Sequence, residues 1–232
     1  MLAAAAVKFR NMILRRLGNK SQIAGEIQKY FPQHSIYIEP FFGAGGMFFN
    51  KPKASCNIMN DIDSEVFNLF QTVSNKKDEL ENLFLATPKH QDLFNYWKLN
   101  QEDCQVRKAM RFLFISNYTF MGAGASLKLN SRNDVRQLYE GLQKVNERLF
   151  EVQFANMDFR QFLKSVSIEK NETEKTLIYC DPPYLDTDDN YSHSFTEQDA
   201  SDLFYCLIET GCKFAYSEFD HPFILEQAKK EV

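Results

Sequence analysis

Six consecutive residues, Tyr179-Cys180-Asp181-Pro182-Pro183-Tyr184, end an apolar run and carry the densest chemistry in the chain. Two successive prolines remove two N–H donors and stiffen the backbone, leaving carbonyl oxygens free to accept hydrogen bonds. A planar exocyclic amine suits this set: Asp181 and the Pro182 carbonyl accept its two hydrogens while the Tyr184 ring stacks. Asp-Pro-Pro also makes an ordinary turn, so the rest of the chain has to supply the context. Glu39-Pro40-Phe41-Phe42-Gly43-Ala44-Gly45-Gly46 holds three of the nine glycines, which let a backbone turn tightly and approach a ligand closely. A plain strand-to-helix turn would use the same glycines. Asp61 lies twenty-two residues after Glu39, about the spacing at which an acid takes the ribose hydroxyls of an adenosine-containing cofactor. Gly-Lys-Ser/Thr is absent from the loop, which argues against an NTPase. No Ser/His/Asp or Cys/His set is evident, and His34, His90, His193 and His221 are scattered as surface or turn residues.

These residues must be held by something, and short apolar runs recur in front of each. Ser35–Ile38 runs into Glu39-Pro40, Cys56–Met59 into Asn60-Asp61, and Val152–Ala155 towards Asp158. Thr176–Cys180 runs into Asp181, and Lys213–Tyr216 into Ser217. Strands alternating with helical patterns imply an α/β sheet, mostly parallel, whose ligand lies beyond the carboxyl ends of the strands. Between a helix starting near Ser64 and the strand near Val152 the rhythm breaks. About eighty helical-looking residues intervene, including Asp78–Leu85, Gln91–Leu99 and Val106–Ile115, followed by the Met121–Ser126 loop with its two glycines.

The 232 residues carry a net charge of −4, with 22 Phe against one Trp, which excludes disorder and a uniformly basic nucleic-acid coat. The charge is unevenly spread. Residues 1–30 hold six Lys/Arg against one acid, and residues 104–148 hold eight against three; residues 158–202 hold eleven acids against four Lys/Arg. The Met1–Val7 apolar run is too short for a signal segment or a membrane span, so a cytoplasmic chain outside the membrane is expected, its first eleven residues set aside. Five cysteines without a Cys-x-x-Cys pair favour free thiols over disulfides or zinc.

The order Leu17-Gly18-Asn19-Lys20, Glu39 to Gly46, Asn60-Asp61-Ile62-Asp63, a helical insertion and Asp181 to Tyr184 resembles the DNA adenine methylase (Dam) family of N6-adenine methyltransferases, over roughly residues 12 to 230. The resemblance implies an α/β, Rossmann-like S-adenosylmethionine-dependent methyltransferase sheet with an inserted, mostly helical target-recognition subdomain. A discontinuous catalytic domain would cover residues 12–66 and 148–232, and the insertion residues 67–147. S-adenosyl-L-methionine would be held by Arg16, Lys20, Phe42, Gly43, Gly45, Asp61, Asp158 and Asp181, with Asp158 reaching its adenine amino group. Asp181, Pro182 and Tyr184 would be catalytic towards an adenine flipped out of double-stranded DNA, with no metal or covalent nucleophile. Asn117, Tyr118, Phe120, Lys128, Arg132 and Arg136 would bind DNA, joined by Arg107, Lys108 and Arg111. Ser194-Phe195-Thr196 resembles a family feature too, Thr196 and Asp199 suiting a helix N-cap box.

The chain departs from the family in three places. Arg16 stands where members often carry an aromatic, the Ser116–Ser126 segment replaces an Asn/Gly/Arg-rich loop, and residues 229–232 fall where members run on into a β-hairpin. A monomer from a bacterium or phage is expected, restriction-linked or solitary. An RNA adenine as acceptor, or a catalytically silent or partner-dependent nucleic-acid-binding module, are the other readings.

Overall fold

All five apolar runs become strands. In the computed structural model, which describes residues 13–16, 18–122, 124–128, 134–186 and 195–230, the order is α1 (Ala24–Ile27), β1 (Ile36–Glu39), β2 (Cys56–Asn60), α2 (Ser64–Asn75), α3 (Lys77–Ala86), α4 (Gln91–Leu99) and α5 (Gln105–Tyr118). It continues with α6 (Asp134–Leu149), β3 (Val152–Ala155), α7 (Phe159–Ser165), β4 (Thr176–Cys180), α8 (Glu197–Glu209), β5 (Lys213–Tyr216) and α9 (Pro222–Lys230). The Met1–Val7 run and Leu17, Arg132, His193 and Ser194, named above, lie outside the described residues.

The chain groups into two compact units. A sheet unit falls within Tyr30–Phe42, Ala54–Asp63 and Glu151–Val232, and a helical unit within Met1–Lys29, Gly43–Lys53 and Ser64–Phe150. By packing, then, the segment before Lys29 and the glycine loop go with the helices, whereas the expected catalytic domain counted them with the strands.

In the sheet unit the strands pair in the order β3-β2-β1-β4-β5, all parallel. Ile38 lies opposite Ile58 on one side and Ile178 on the other. Every residue of β4 is buried, as expected for an inner strand of a covered parallel sheet, and this explains its unbroken apolar run. Ile38 and Ile178 pack with Phe162 and Leu163 of α7 and Leu203 and Leu207 of α8. Each such side chain is worth about 1.5–3 kcal/mol of burial. A smaller cluster, Leu185, Ala200, Phe204 and Ile224, brings in α9. The chain steps outward from β1 through β2 to β3, then returns to lay β4 on the other side of β1. The strand order therefore reverses between β1 and β4, where open α/β sheets bind ligands.

In the helical unit, α2 buries Val66, Leu69, Phe70 and Val73 and α5 buries Val106, Ala109, Met110, Leu113 and Phe114, both at helical spacing. Trp97 meets Phe114 edge to face at 5.1 Å, and Phe114 meets Tyr118 likewise at 5.0 Å. The helix α6 falls in the stretch expected to be helical, without having been given bounds there; Leu138, Leu142, Val145 and Leu149 form one buried stripe along it.

Candidate active site

Each strand of the sheet is followed at its carboxyl end by an acid. Glu39 is the last residue of β1, Asp61 and Asp181 directly follow β2 and β4, and Asp158 and Glu218 come within three residues of β3 and β5. A parallel sheet puts all of these ends on one edge, so five acids spread along the sequence become one anionic rim. Among them Glu39 is 2% exposed and accepts from Tyr37 Oη at 2.6 Å through its Oε1. Burial, then the Glu39 charge, pushes the Tyr37 hydroxyl well above its ordinary pKa. Burial and the neighbouring Asp181 charge likewise raise the Cys180 thiol and the Tyr179 hydroxyl, so both stay protonated donors beside the carboxylate.

The Asp181–Tyr184 turn sits at the β4 end, beside β1. Pro182 is buried, and Asp181, Pro183 and Tyr184 are half-buried. A second loop, Ser217–His221 after β5, runs along it, and no sequence motif had pointed to it. The Ser217 N–H donates to Cys180 O at 2.9 Å, and the Ser217 and Tyr179 hydroxyls share a 2.8 Å bond. Glu218 accepts from Leu185 N at 3.4 Å and from Phe219 N at 2.9 Å. His221 Nε2 lies 3.1 Å from Asp186 Oδ2. The Tyr184 and Phe219 rings meet edge to face, centroids 4.7 Å apart.

Asn60, the last residue of β2 and the first of the Asn60–Asp63 motif, ties three strand ends together, a role the motif alone did not reveal. Its Nδ2 donates to Pro40 O at 3.0 Å and Met157 O at 2.9 Å, its Oδ1 accepts from Met157 N at 3.1 Å, and its carbonyl accepts from Phe42 N at 2.9 Å. An Asn inside a strand is disfavoured by propensity. At 1% exposure and fully bonded, it acts here as a bracket, fixing where the glycine loop leaves the sheet. Asp61 accepts from Asp63 N at 2.9 Å, shaping the turn into α2. Phe42 is buried edge to face on Phe154, so it anchors the start of the loop instead of offering a free surface.

Asp158 caps α7, accepting from Arg160 N at 2.8 Å. Its other oxygen pairs with the Arg160 guanidinium at 3.1 Å, and that guanidinium also holds Asp199 and Asp202 at the start of α8. A carboxylate has about four lone-pair sites, so Asp158 can still accept a further donor. The Thr196–Asp199 capping box is formed in both directions.

Gly43 and Gly45 have positive φ, +53° and +70°. Gly46 is there for lack of space: a Cβ would lie 2.1 Å from Asn19 Oδ1 and 3.0 Å from the Lys20 and Ser21 nitrogens. Asn19 in turn accepts from Ser21 N at 3.0 Å. The Gly18–Ser21 turn and the Gly45–Gly46 backbone thus nest against each other, which accounts for Gly-Asn-Lys and Gly-Ala-Gly-Gly occurring together. Lys20 donates to Gly18 O at 2.8 Å, and Arg16 is half-buried.

The expected DNA-binding residues divide sharply. Asn117 is 2% exposed and donates to Ile13 O at 2.7 Å and Leu113 O at 3.0 Å, and Tyr118 is 4% exposed in the Phe114 ring stack. Arg111 is 8% exposed; its guanidinium holds Glu65 at 2.7 Å and the carbonyls of Trp97 and Asn100. These three are interior groups and present nothing to a duplex. Phe120, Lys128, Arg136, Arg107 and Lys108 are exposed. The loop carrying Phe120 and Lys128 is pinned at its base by Lys128 N to Tyr118 O at 2.7 Å and Phe120 N to Ser126 O at 3.3 Å.

A cavity of about 780 Å³ opens at the other edge of the sheet, lined by Ser35, Cys56, Phe162, Glu172 and Lys175 among others. None of the candidate residues lines it. The described residues contain no group of three or more His, Cys, Asp or Glu able to hold a metal ion, and no helix long and apolar enough to cross a membrane.

The family described as D12 class N6 adenine-specific DNA methyltransferase matches this chain over residues 17–232. The DNA adenine methylase of Salmonella typhi is 25% identical over 201 residues, covering 77% of this chain and 66% of that protein. That of Escherichia coli (strain K12) is 26% identical over 188 residues, with the same coverage of 77% and 66%. The DNA N-6-adenine-methyltransferase of Escherichia phage P1 is 25% identical over 199 residues, 77% of this chain and 24% of that protein. The chain thus spans just under two thirds, 66%, of the length of the bacterial relatives.

Proposed function

This chain belongs to the D12 class of N6 adenine-specific DNA methyltransferases, and from that membership we propose that it transfers a methyl group from S-adenosyl-L-methionine to the N6 amine of adenine in double-stranded DNA. The observation that carries the reading is the Asp181–Tyr184 turn at the β4 end, beside β1, where the strand order reverses.

The residues present fit a sulfonium cofactor. An anionic rim of five strand-end acids suits a cation bearing an ammonium group and ribose hydroxyls. Bound there, the cofactor supplies an already activated methyl electrophile, so the chain need add only position and electrostatics. In the sheet unit Asp61 takes the ribose hydroxyls and Asp158 the adenine amino group, with Phe42 fixing where the glycine loop begins; family membership adds Lys20, Arg16 and the Gly43 and Gly45 backbone as further cofactor contacts. The Asp181 carboxylate and the Pro182 carbonyl accept the two N6 hydrogens of the target adenine while Tyr184 supports its ring. The N6 lone pair is delocalised into the purine, and these two acceptors raise the electron density on nitrogen and aim it. The Asp181 carboxylate can also take the proton that the methylated amine sheds. Extruding the base costs a few kcal/mol, offset by stacking and hydrogen bonds in the pocket.

Catalysis is assigned to residues 12–66 and 148–232 and target recognition to residues 67–147. Within the recognition segment Arg107, Lys108, Lys128 and Arg136 meet phosphates and Phe120 meets the bases. Incubating the purified chain with tritiated cofactor and unmethylated DNA, followed by nucleoside mass spectrometry, should yield N6-methyladenine in DNA and none in RNA. Wild-type protein that transfers no methyl to adenine would overturn the assignment.

A further inference from the structure

We propose that Arg160 is a positioning residue that fixes the Asp158 carboxylate and so makes the cofactor site select an adenine amine over a carbonyl; this rests on the methyl-transfer reading above. Ion pairs within one surface helix, such as Arg136 with Glu140, contribute little. Arg160 instead joins the starts of two helices in the sheet unit. Its Nη1 pairs with Asp158 Oδ2 at 3.1 Å, its Nη2 with Asp199 Oδ1, and its Nε with Asp202 Oδ2 at 2.7 Å, so all three guanidinium nitrogens are engaged. The four side chains are between 25% and 35% exposed, and water screens them only in part. The other oxygens of Asp158 and Asp199 are committed as well. Asp158 Oδ1 caps α7 through Arg160 N at 2.8 Å, and Asp199 Oδ2 accepts from Thr196 N at 2.8 Å in the capping box of α8. Beneath the guanidinium lies the Phe159 ring, 4.3 Å away, itself packed with Phe41 and Phe195. A carboxylate held by both oxygens is fixed in rotation, so its unused lone pairs keep set directions. Such an acceptor bonds an amine and finds no donor in a carbonyl oxygen standing in its place. A carboxylate free to turn could reach instead for the ring N–H that accompanies the carbonyl form of the purine, and the distinction would be lost.

The test compares Arg160→Ala, Arg160→Lys and Asp202→Asn with wild type. Two ligands are titrated by calorimetry: S-adenosylhomocysteine, and S-inosylhomocysteine, in which a carbonyl replaces the adenine amine. Wild type should prefer the adenosyl ligand by about tenfold or more. Arg160→Ala should bring the two Kd values to within about threefold of each other, chiefly by weakening the adenosyl ligand. Arg160→Lys keeps the charge without the fork, and its preference should fall short of wild type by about threefold or more. Asp202→Asn leaves the Asp158 and Asp199 pairs in place and should keep the preference within about twofold. A purely structural role would lower the thermal midpoint and weaken both ligands by one factor. Equal weakening of both ligands in Arg160→Ala, or a full wild-type preference in Arg160→Lys, would overturn the positioning role while the proposed function stands. So would a wild type that binds the two ligands alike. A wild type that binds neither ligand and leaves adenine unmethylated would remove the function and this role together.

Discussion

The two units use polar residues in opposite ways. In the sheet unit they collect at strand ends: Glu39, Asp61, Asp158, Asp181 and Glu218 share one edge because parallel strands all end on the same side. In the helical unit three of the residues that looked functional turn inward. Arg111 holds Glu65 and two carbonyls, Asn117 ties α5 to Ile13, and Tyr118 is buried against Phe114. Position after a strand therefore fixes where a polar residue ends up in this molecule, and residue type on a helix does not.

The largest expected effect tests that contrast directly. Asp181→Ala should cut methyl transfer by at least about a hundredfold while leaving the thermal midpoint within a few degrees, since a half-buried turn carboxylate does little for the core. Arg111→Ala should do the reverse, removing a guanidinium that holds one carboxylate and two carbonyls and costing about 2–4 kcal/mol of stability in denaturant unfolding. An Arg111→Ala protein of wild-type stability would erase the distinction.

That contrast also explains what could be read in advance. The five strands lie within a residue of their expected positions, and α4 matches its expected span, because alternation and turn residues are local signals. The capping box at Thr196 was legible for the same reason. The roles of Asn60 and Glu218 were not, since their partners lie far off in sequence, Met157 for Asn60 and Leu185 for Glu218. The inward turn of Asn117 and Tyr118 depended on which face of α5 packs, and α5 is buried on so many sides that its sequence singles out no exposed face. The helix α6 was expected only as part of a helical stretch and not by its bounds, since many charged residues lie between its apolar positions.

The glycine loop gives a finer comparison, between two adjacent constraints. Gly46→Ala puts a Cβ 2.1 Å from Asn19 Oδ1, and should cost about 1–3 kcal/mol and weaken cofactor binding measured by calorimetry. Adding Asn19→Ala should recover part of that loss; the two backbone nitrogens at 3.0 Å would keep the rest. Gly43→Ala meets nothing within 4 Å but imposes φ of +53°, and should cost about 1–2 kcal/mol that no second change relieves. Smaller again, Lys128→Ala and Arg107→Ala should each leave stability unchanged and reduce the slope of log affinity for DNA against log salt by about one. An equal effect from Lys29→Ala, whose ammonium pairs with Glu26, would mean that charge alone and not position governs binding.

The smallest effect sets Arg160 of the sheet unit against Arg111. Arg160 holds three carboxylates near the surface, where Arg111 holds one in the interior. The bonds from Arg160 and Gln198 hold the Asp202 carboxyl below its ordinary pKa. For Asp199, burial pushes upward, but the bonds from Thr196 and Arg160 outweigh it and the net shift is also downward. A depressed carboxyl pKa stabilises the fold at neutral pH, and that contribution disappears as pH falls below about 4 through the lowered values. Asp202→Asn should therefore cost no more than about 1 kcal/mol at pH 7, with the gap to wild type closing in acid unfolding below about pH 4. Glu218 runs the other way. Burial raises its carboxyl pKa, so its protonated form favours the fold, and that advantage is lost as pH rises through the raised value. Glu218→Gln should accordingly leave stability at pH 7 unchanged or slightly higher while loosening the bonds to Leu185 N and Phe219 N. A clear loss of stability at pH 7 in Glu218→Gln would show that these two bonds outweigh the cost of burying the charge.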